Sequence, residues 1–342
     1  MLKAKIAVVI LNWNGKFFLQ QFLPNIIKNS DVATIYIADN NSTDDSISFL
    51  ELNYPDIKII KNNTNSGFAK GYNDALKHID ADYFVLLNSD VEVSPNWIAP
   101  IIELMNSDIK ISACQPKVLD FKDKTHFEYA GAAGGFIDKF GYPFCRGRLF
   151  NDIEIDNNQY DDATEIFWAT GACMFVRVTA FWEVGGFDED YFAHMEEIDL
   201  CWRMKNLGYK IFVEPKAVVY HVGGGTLNKI NPKKTFLNFR NNLITLLKNS
   251  DSKFLFLKLF YRMILDGVAA YKFLFEGNGK HFFAVAKAHF WFYLMLPNTL
   301  KKRTYMKSKA GFHFTKNSIF QSNIVYLHFI KGIKVFSKIE NK

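Results

Sequence analysis

The chain has 342 residues, of which 49% are hydrophobic and 22% charged, so it accommodates one large domain with an appendage or two ordinary domains, and it excludes general disorder. Residues 230–342 contain 20 Lys and Arg against 4 Asp and Glu, whereas residues 1–229 contain 21 basic and 31 acidic side chains, which together give the net charge of +6. A segment of charge +16 after a domain of charge −10 indicates an anionic partner, either nucleic acid or anionic lipid.

The first ninety residues alternate between two kinds of pattern. Short apolar runs predict strands at 6–11, 33–38, 57–61 and 83–87, and helical spacing predicts helices at 17–28, 47–52 and 69–79. This alternation predicts βαβ units, a mostly parallel sheet and therefore an α/β fold class. Such sheets bind ligands outside the carboxyl ends of their strands, and each predicted strand here ends in a polar cluster.

The middle of the chain lacks the regular alternation of predicted strands and helices. Residues 110–165 are rich in glycine, which predicts irregular loops and short strands. The elements predicted after them are a buried strand or antiparallel pair at 166–177, a helix at 192–207, and strands at 210–213 and 217–222.

The basic C-terminal segment predicts membrane-surface helices. Residues 234–248 are amphipathic, and residues 254–275 are almost wholly apolar except for a few charges, of which Lys258, Arg262 and Asp266 are spaced by four and form one stripe on a helix. This stripe argues against a spanning helix, which needs about 20 mostly uncharged residues. Residues 281–300 carry interfacial aromatic side chains and precede three consecutive basic residues. Because these basic residues are interleaved with apolar ones in amphipathic periods, lipid is favoured over nucleic acid.

The cysteine pattern bears on the redox compartment. None of Cys114, Cys145, Cys173 and Cys201 forms a CxxC pair, so the sequence supports neither a zinc ribbon nor a redox dithiol. The sparse spacing and the absence of a recognisable signal peptide predict a cytoplasmic protein.

Two polar residues at predicted strand ends are candidate nucleotide contacts. Asn12 and Asp39 would lie on one rim of the sheet, where a carboxylate accepts hydrogen bonds from a base or a ribose. The alternative is that Asp39 only caps the helix that follows.

The segment from Asn65 through Gly67 to Asn73 is a second candidate. Gly67 permits a close backbone approach, and the N-terminus of the helix that follows favours phosphate. The alternative is an ordinary loop. The segment is not a GxGxxG sequence, which argues against a dinucleotide-binding dehydrogenase.

Asn88-Ser89-Asp90 and His221 are candidate metal ligands. Oxygen ligands directly after an apolar strand suit Mg²⁺ or Mn²⁺, although these three residue types also form β-turns. His221 ends another apolar strand before a glycine run, and this position modestly raises the odds of a ligand role, although a lone histidine is usually structural.

The acidic residues Glu196, Glu197 and Asp199 are candidate catalytic groups. Apolar flanks predict that part of this group lies near the core, and a partly buried carboxylate has a raised pKa and serves as a general base. Arg203 follows Asp199 by four residues and is a possible ion-pair partner.

Taken in order, these motifs resemble family 2 glycosyltransferases with the GT-A fold. The resemblance covers about residues 3–245 and is carried by the groups above together with Thr170-Gly171-Ala172 and Gly185-Gly186-Phe187-Asp188. The chain is similar in particular to the rhamnosyltransferase-like branch that builds bacterial surface polysaccharides.

The resemblance implies a role for each motif. Asp39, with Asn12, would contact the nucleotide. The other expected contributors to its pocket are Asn65, Gly67, Asn73 and Asn88. Asp90 and His221 would bind the metal, and Glu197 would be the base. Trp168, Thr170 and Gly171 would border the sugar or the acceptor.

The chain departs from the family pattern at two positions. Asn88 opens the DxD-like motif and removes one charge, and Glu197 stands where the family usually has Asp, which keeps Glu196 and Asp199 open as bases.

The predicted activity is inverting transfer of a sugar, from a dTDP- or UDP-sugar with Mg²⁺ or Mn²⁺, to a glycan or lipid-linked acceptor. The alternative is a non-catalytic nucleotide-sugar-binding or assembly subunit. We expect a GT-A catalytic domain at 1–230 and a basic helical tail at 231–342, which binds the anionic inner face of the cell membrane and no nucleic acid.

Overall fold

The computed structural model describes residues 4–223, 231–251, 254–316 and 318–340. The strands in chain order are β1 Ile6–Asn12, β2 Thr34–Asp39, β3 Lys58–Lys61, β4 Tyr83–Asn88, β5 Val91–Val93, β6 Ile111–Asp120, β7 Gly135–Ile137, β8 Pro143–Cys145, β9 Arg148–Leu149, β10 Asp152–Ile153, β11 Thr164–Ile166, β12 Cys173–Arg177 and β13 Lys210–His221. The α-helices are α1 Lys16–Lys28, α2 Ser46–Asn53, α3 Gly67–Leu76, α4 Ala99–Ser107, α5 Val178–Glu183, α6 Glu196–Lys205, α7 Pro232–Asn249, α8 Leu255–Phe275, α9 Gly279–Lys307 and α10 Ser337–Glu340.

A mixed sheet in the order β11-β13-β6-β12-β4-β1-β2-β3 forms the centre of the molecule, and β5 pairs with β13. The pairs β1–β2, β1–β4, β2–β3 and β6–β13 are parallel, whereas β5, β11 and β12 run antiparallel to their neighbours. This confirms the predicted α/β class and the mostly parallel sheet. The parallel strands therefore deliver their carboxyl ends to one edge.

Two apolar layers cover the sheet. The β1 side chains alternate between them, with Ala7 and Val9 in one layer and Val8 and Ile10 in the other. Burial on both faces explains why β1 is a continuous apolar run rather than an alternating pattern. The four cysteines are buried and unpaired.

Two predicted elements differ from those observed. The helix predicted from residue 192 begins only at Glu196, because Phe192, His194 and Met195 have φ of 64°, 69° and 74°. Such left-handed backbone cannot continue an α-helix. The two strands predicted within 210–222 are one strand, β13, with a register irregularity between Glu214 and Val218.

The segment after residue 230 shares the core of the preceding domain. Leu243, Ile244 and Leu247 of α7 are buried in the same cluster as Met204 and Trp202 of α6. The predicted boundary at residue 230 stays a prediction, but the helices after it pack as a structural part of the domain.

The last described residues return to a small antiparallel sheet, β10-β9-β8-β7. Phe320 donates its N–H to the Ile137 carbonyl, and Ile324 N–H binds the buried Asp138 carboxylate at 3.0 Å. The ring of Phe336 packs 5.0 Å from the ring of Phe136. The glycine-rich insert is therefore completed by the C-terminus of the chain.

Helix α8 has its polar stripe inside and its apolar face outside. Arg262 and Asp266 are 4% and 1% exposed and form an ion pair of 2.9 Å, and the Arg262 guanidinium lies 3.5 Å from the Tyr142 ring centroid. Phe256 and Phe260, by contrast, are 68% and 63% exposed. Across the described part of the chain, every helix is too short or too polar to cross a bilayer.

Candidate active site

Four predicted site residues are each the last residue of a strand. Asn12, Asp39, Asn88 and His221 end β1, β2, β4 and β13. Asn12 pairs in register with Asp39, and Leu11 with Asn88, so three of these side chains project from adjacent strands. The structure therefore gathers them on one edge, as the positions at strand ends predicted.

Asn12 and Asp39 form one buried hydrogen-bonded unit. Asp39 accepts hydrogen bonds from Asn12 Nδ2 at 3.0 Å and from the Ser42 amide at 2.9 Å. A side chain on Gly15 would place its Cβ 2.5 Å from Asn12 Oδ1. This buried oxygen has no hydrogen-bond partner among the described residues.

The segment at Asn65, Gly67 and Asn73 is built differently from the prediction. Gly67 has φ of +84°, and a Cβ there would lie 2.4 Å from the Phe192 carbonyl oxygen. That oxygen accepts the N–H groups of Phe68 and Ala69, so the expected phosphate site at the N-terminus of α3 is filled by the protein itself. Asn65 Oδ1 likewise accepts the Gly67 amide.

Asn73 is a structural residue. Its Nδ2 donates to the Phe187 carbonyl at 2.8 Å, and its Oδ1 accepts the Phe187 amide at 3.0 Å. This buried amide is held by the Phe187 backbone, and its expected contact with the nucleotide stays a prediction.

A second cluster joins three strand ends around His221. The His221 Nε2 lies 3.2 Å from Asp90 Oδ1 and 3.5 Å from Asn88 Nδ2, and its Nδ1 lies 3.4 Å from Glu128 Oε2. Burial lowers the pKa of His221, but the carboxylates of Glu128 and Asp90 outweigh burial and raise the pKa to about 10. The imidazole therefore carries a proton that a metal ion would have to displace.

The donor atoms of this cluster suit a divalent cation that keeps other ligands. Asp90 supplies a buried carboxylate and His221 an imidazole, a combination that Mn²⁺ accepts. Within the described ranges, no group of three or more His, Cys, Asp or Glu side chains is arranged to hold a metal ion. The residues therefore fit an ion whose remaining ligands come from a diphosphate and water, as is usual for Mg²⁺.

The acidic segment presents Glu196 and Glu197 directly after the left-handed residues. Burial raises the pKa of Glu197 to about 7, and burial with the neighbouring Glu197 charge raises the pKa of Glu196 well above its usual range. The Oε2 atoms of both are buried without a hydrogen-bond partner among the described residues. Glu197 is half-buried and Glu196 is buried, so Glu197 is the carboxylate that a ligand reaches.

Asp199 does not belong to this pair. It accepts hydrogen bonds from Arg203 at 2.8 Å and from Asn249 at 2.7 Å, and Lys248 lies 2.8 Å away. Burial raises the pKa of Asp199, but the charges of Lys248 and Arg203 outweigh it and hold the pKa below its usual value. The expectation that Asp199 is a possible base is wrong, because its carboxylate is fully buried and paired. The Asp199–Arg203 pair confirms the predicted contact.

The segment 168–172 connects the two groups. A Cβ at Gly171 would lie 4.0 Å from Glu197 Cβ. The carbonyl of Ala172 accepts a hydrogen bond from the backbone N–H of Asn88 at 3.0 Å. Thr170 is buried and bonds to the Ala130 carbonyl, and buried Trp168 donates to the Phe136 carbonyl at 2.9 Å. Gly171 therefore lies beside Glu197, whereas the side chains of Trp168 and Thr170 are held by backbone carbonyls.

Glu128 is a site residue that the sequence analysis missed. It is 3% exposed, and its Oε2 accepts the Ala130 amide at 2.5 Å while facing His221. Its segment has no strand or helix periodicity. The signal that could have identified it is a carboxylate just before three glycines, Gly131, Gly134 and Gly135.

A family model described as Glycosyl transferase family 2 matches residues 7–185. The N-acetylglucosaminyl-diphospho-decaprenol L-rhamnosyltransferase of Mycobacterium tuberculosis is 25% identical over 233 residues, which cover 63% of this chain and 75% of that protein. Rhamnosyltransferase WbbL of Escherichia coli K12 is 25% identical over 227 residues, which cover 63% of this chain and 83% of that protein. These matches confirm the predicted resemblance to the rhamnosyltransferase-like branch.

Solved structures confirm the GT-A fold. The mannosyltransferase PcManGT from Pyrobaculum calidifontis, in complex with GDP-Man and Mn²⁺, superimposes with a TM-score of 0.52 at 13% identity, covering 91% of this chain and 85% of that one. GalNAc-T7 with UDP, GalNAc and Mn²⁺ gives a TM-score of 0.58 at 16% identity, covering 73% of this chain and 49% of that one.

The raised pKa of Glu197 predicts that Glu197→Gln stabilises the protein at high pH. A carboxyl whose pKa is about 7 when folded, against 4.5 as a model value, makes stability fall as pH rises through this interval. We expect the variant to exceed the wild type by about 2 kcal/mol in the free energy of unfolding at pH 8, and the difference to vanish near pH 5, as measured by urea denaturation. The exposed Glu103→Gln variant is the control. Equal stability of Glu197→Gln and the wild type at pH 8 would contradict the raised pKa.

Proposed function

The chain belongs to glycosyl transferase family 2, and from this premise we propose that it is an inverting transferase acting on a lipid-linked or glycan acceptor in bacterial surface polysaccharide synthesis. The observation that carries the proposal is the half-buried Glu197, whose pKa is about 7, beside Gly171 in the segment that Ala172 joins to the end of β4. A carboxylate with this pKa is suited to accept a proton near neutral pH.

We assign the nucleotide of the donor to the Asn12–Asp39 unit. Asn12 Oδ1 has no hydrogen-bond partner among the described residues, and the unit ends β1 and β2, at the edge where parallel sheets bind ligands. The solved neighbours hold UDP and GDP-Man. From the rhamnosyltransferase relatives we propose a dTDP- or UDP-sugar as the donor.

We assign the divalent cation, Mg²⁺ or Mn²⁺, to Asp90 and His221. When bound, the cation neutralises negative charge that develops on the departing diphosphate. The buried contact between Asp90 Oδ1 and His221 Nε2 supports the assignment. A divalent cation in place of the imidazole proton would balance the negative charges of the two neighbouring carboxylates, Asp90 and Glu128. Asn88 completes the polar wall on the same side.

The transfer is one displacement. Glu197 takes the proton of an acceptor hydroxyl, and the hydroxyl oxygen forms a bond to the anomeric carbon as the bond from that carbon to the diphosphate oxygen breaks. The nucleoside diphosphate leaves with the electron pair, and the configuration at the anomeric carbon inverts. Glu196 is buried, and burial together with the Glu197 charge raises the pKa of Glu196 well above its usual range, so we assign the proton-accepting role to Glu197.

The non-catalytic binding subunit is the weaker alternative. Two desolvated carboxyl groups, each with an Oε2 that lacks a partner among the described residues, cost stability, and a protein that only binds a nucleotide sugar has no use for them. A functional site accounts for such a pair more readily.

We further propose that α8 and α9 bind the inner face of the cell membrane. The apolar side chains that α8 turns outward are Phe256, Leu257, Phe260, Ile264, Val268, Tyr271 and Phe275. Trp291 and Tyr293 are exposed on α9, and Lys272, Lys280, Lys287 and Lys301 are exposed around them. An apolar patch bordered by lysines matches an anionic lipid surface. Such docking would bring the site close to a lipid-linked acceptor like that in the name of the mycobacterial relative.

The donor site predicts a metal-dependent thermal shift. We expect the melting temperature to rise with one of UDP, dTDP, GDP or CDP in the presence of Mn²⁺ and less without it, because a ligand that binds only the folded state stabilises it. The Asp90→Asn and His221→Ala variants should lose the Mn²⁺-dependent part alone. No shift with any nucleotide would argue against the donor site.

The assigned base predicts a separation of binding from chemistry. We expect Glu197→Gln to abolish sugar transfer while its nucleotide-induced thermal shift stays close to that of the wild type, since the amide cannot take a proton. Asp199→Asn is the contrasting variant, and we expect any loss of its activity to follow its loss of thermal stability. A fully active Glu197→Gln enzyme would move the role to Glu196.

Membrane docking predicts that outward phenylalanines control vesicle binding. We expect Phe256→Ser/Phe260→Ser to lower sedimentation with phosphatidylglycerol vesicles by at least about tenfold, because burying each phenylalanyl side chain contributes about 2 kcal/mol. The matched control Leu52→Ser/Ile109→Ser removes equally exposed apolar groups from the catalytic part. Point variants are preferable to truncation near Lys248, because Arg303 of α9 binds the Leu247 carbonyl at 2.7 Å. Unchanged sedimentation of the phenylalanine variant would contradict docking.

A further inference from the structure

The loop before α6 is held in a costly backbone conformation. Phe192, His194 and Met195 all have positive φ, and none is glycine. Each such residue costs of the order of 1 kcal/mol or more, and the conformation persists only where surrounding contacts impose it. The residue after this loop is Glu196, followed by Glu197, so the loop sets where both carboxylates point.

Helix α7 imposes this conformation through two adjacent side chains. Asn241 Nδ2 lies 3.1, 3.0 and 2.7 Å from the carbonyl oxygens of Tyr191, Ala193 and His194, to which it donates. Arg240 Nη2 donates to the carbonyl oxygens of Asp190 and Tyr191, and Arg240 Nε donates to Asn241 Oδ1 at 2.9 Å. Asn241 is fully buried, so water does not substitute for it.

The other side of the loop is fixed by α3. The Phe192 carbonyl accepts the Phe68 amide at 2.6 Å, and Gly67 leaves the space that this approach needs. The loop is therefore clamped between α3, which belongs to the first βαβ units, and α7, which follows residue 230.

We propose that Asn241, oriented by Arg240, is a positioning residue for the transfer reaction, because it holds the strained loop that aims Glu197 at the acceptor. This inference rests on the proposed function, in which Glu197 is the base. Among the described residues no side-chain hydrogen bond joins Asn241 to Glu197, and Asn241 acts through the backbone of residues 191–194.

The neighbouring residue supplies a matched control. Asn242 is also buried, its Nδ2 donates to the Gly141 carbonyl at 2.8 Å, and its Oδ1 accepts from Arg262. Asn241 and Asn242 thus share helix, burial, an arginine partner and a backbone acceptor, and they differ in which backbone they hold. Replacing either by Asp keeps the shape and the arginine contact and removes the N–H donors.

The experiment compares Asn241→Asp with Asn242→Asp in steady-state kinetics and in deuterium exchange of the peptide covering residues 188–199. We expect Asn241→Asp to lower kcat about 100-fold with the donor KM little changed, as for a catalytic group displaced by about 1 Å, and to speed exchange in the loop. Asn242→Asp should lose comparable thermal stability and keep kcat and loop protection. If Asn241→Asp does not fold, Arg240→Gln should lower kcat about tenfold in the same direction.

The outcomes separate the two claims. If Glu197→Gln is inactive but Asn241→Asp and Asn242→Asp have equal kcat, the positioning role is overturned and the proposed function stands. If the wild type transfers no sugar, the proposed function fails. The exchange data then test only whether Asn241 holds the loop. Equal protection of the loop in Asn241→Asp and Asn242→Asp would overturn the claim that Asn241 holds the loop.

Discussion

The structure depends on a buried charge network that joins the C-terminal helices to the acidic segment. Asp188 and Asp199 are buried carboxylates, and Lys248 of α7 contacts both, at 2.5 and 2.8 Å. Lys302 of α9 binds Asp188 and Asp190. Burial raises the pKa of Asp188, but the two lysines outweigh it and hold the pKa well below its usual range. Removing one member of such a network strands a charge in the interior, which costs about 3–5 kcal/mol.

This network changes the meaning of the basic C-terminal segment. A charge of +16 suggests a detachable tail, yet several of its cations neutralise carboxylates of the preceding domain rather than an external anion. Other cations, among them Lys272 and Lys287, stay exposed on the surface of α8 and α9. The acidic segment and the C-terminal helices are therefore joined by buried ion pairs between Lys248 and the carboxylates of Asp188 and Asp199.

The sequence predicted the features that depend on local pattern. Asn12, Asp39, Asn88 and His221 were located because apolar strands end in polar residues, and the mostly parallel sheet then brings their side chains together. The roles of Asn73 and Asp199 could not be read in this way, because their partners are the Phe187 backbone and Lys248, distant in sequence. The left-handed residues before Glu196 and the face that α8 buries are likewise decided by tertiary contacts. Periodicity identifies a stripe but does not say which side it packs against.

The return of the C-terminus to the small sheet has a consequence for synthesis. The Asp138 carboxylate meets the Ile324 amide across 186 positions, and the Phe136 and Phe144 rings pack against Phe336. A chain still on the ribosome lacks these partners, so the glycine-rich insert that frames the site closes only after the last residues emerge. The packing of the insert is therefore completed late in synthesis, by residues that follow it by more than 180 positions.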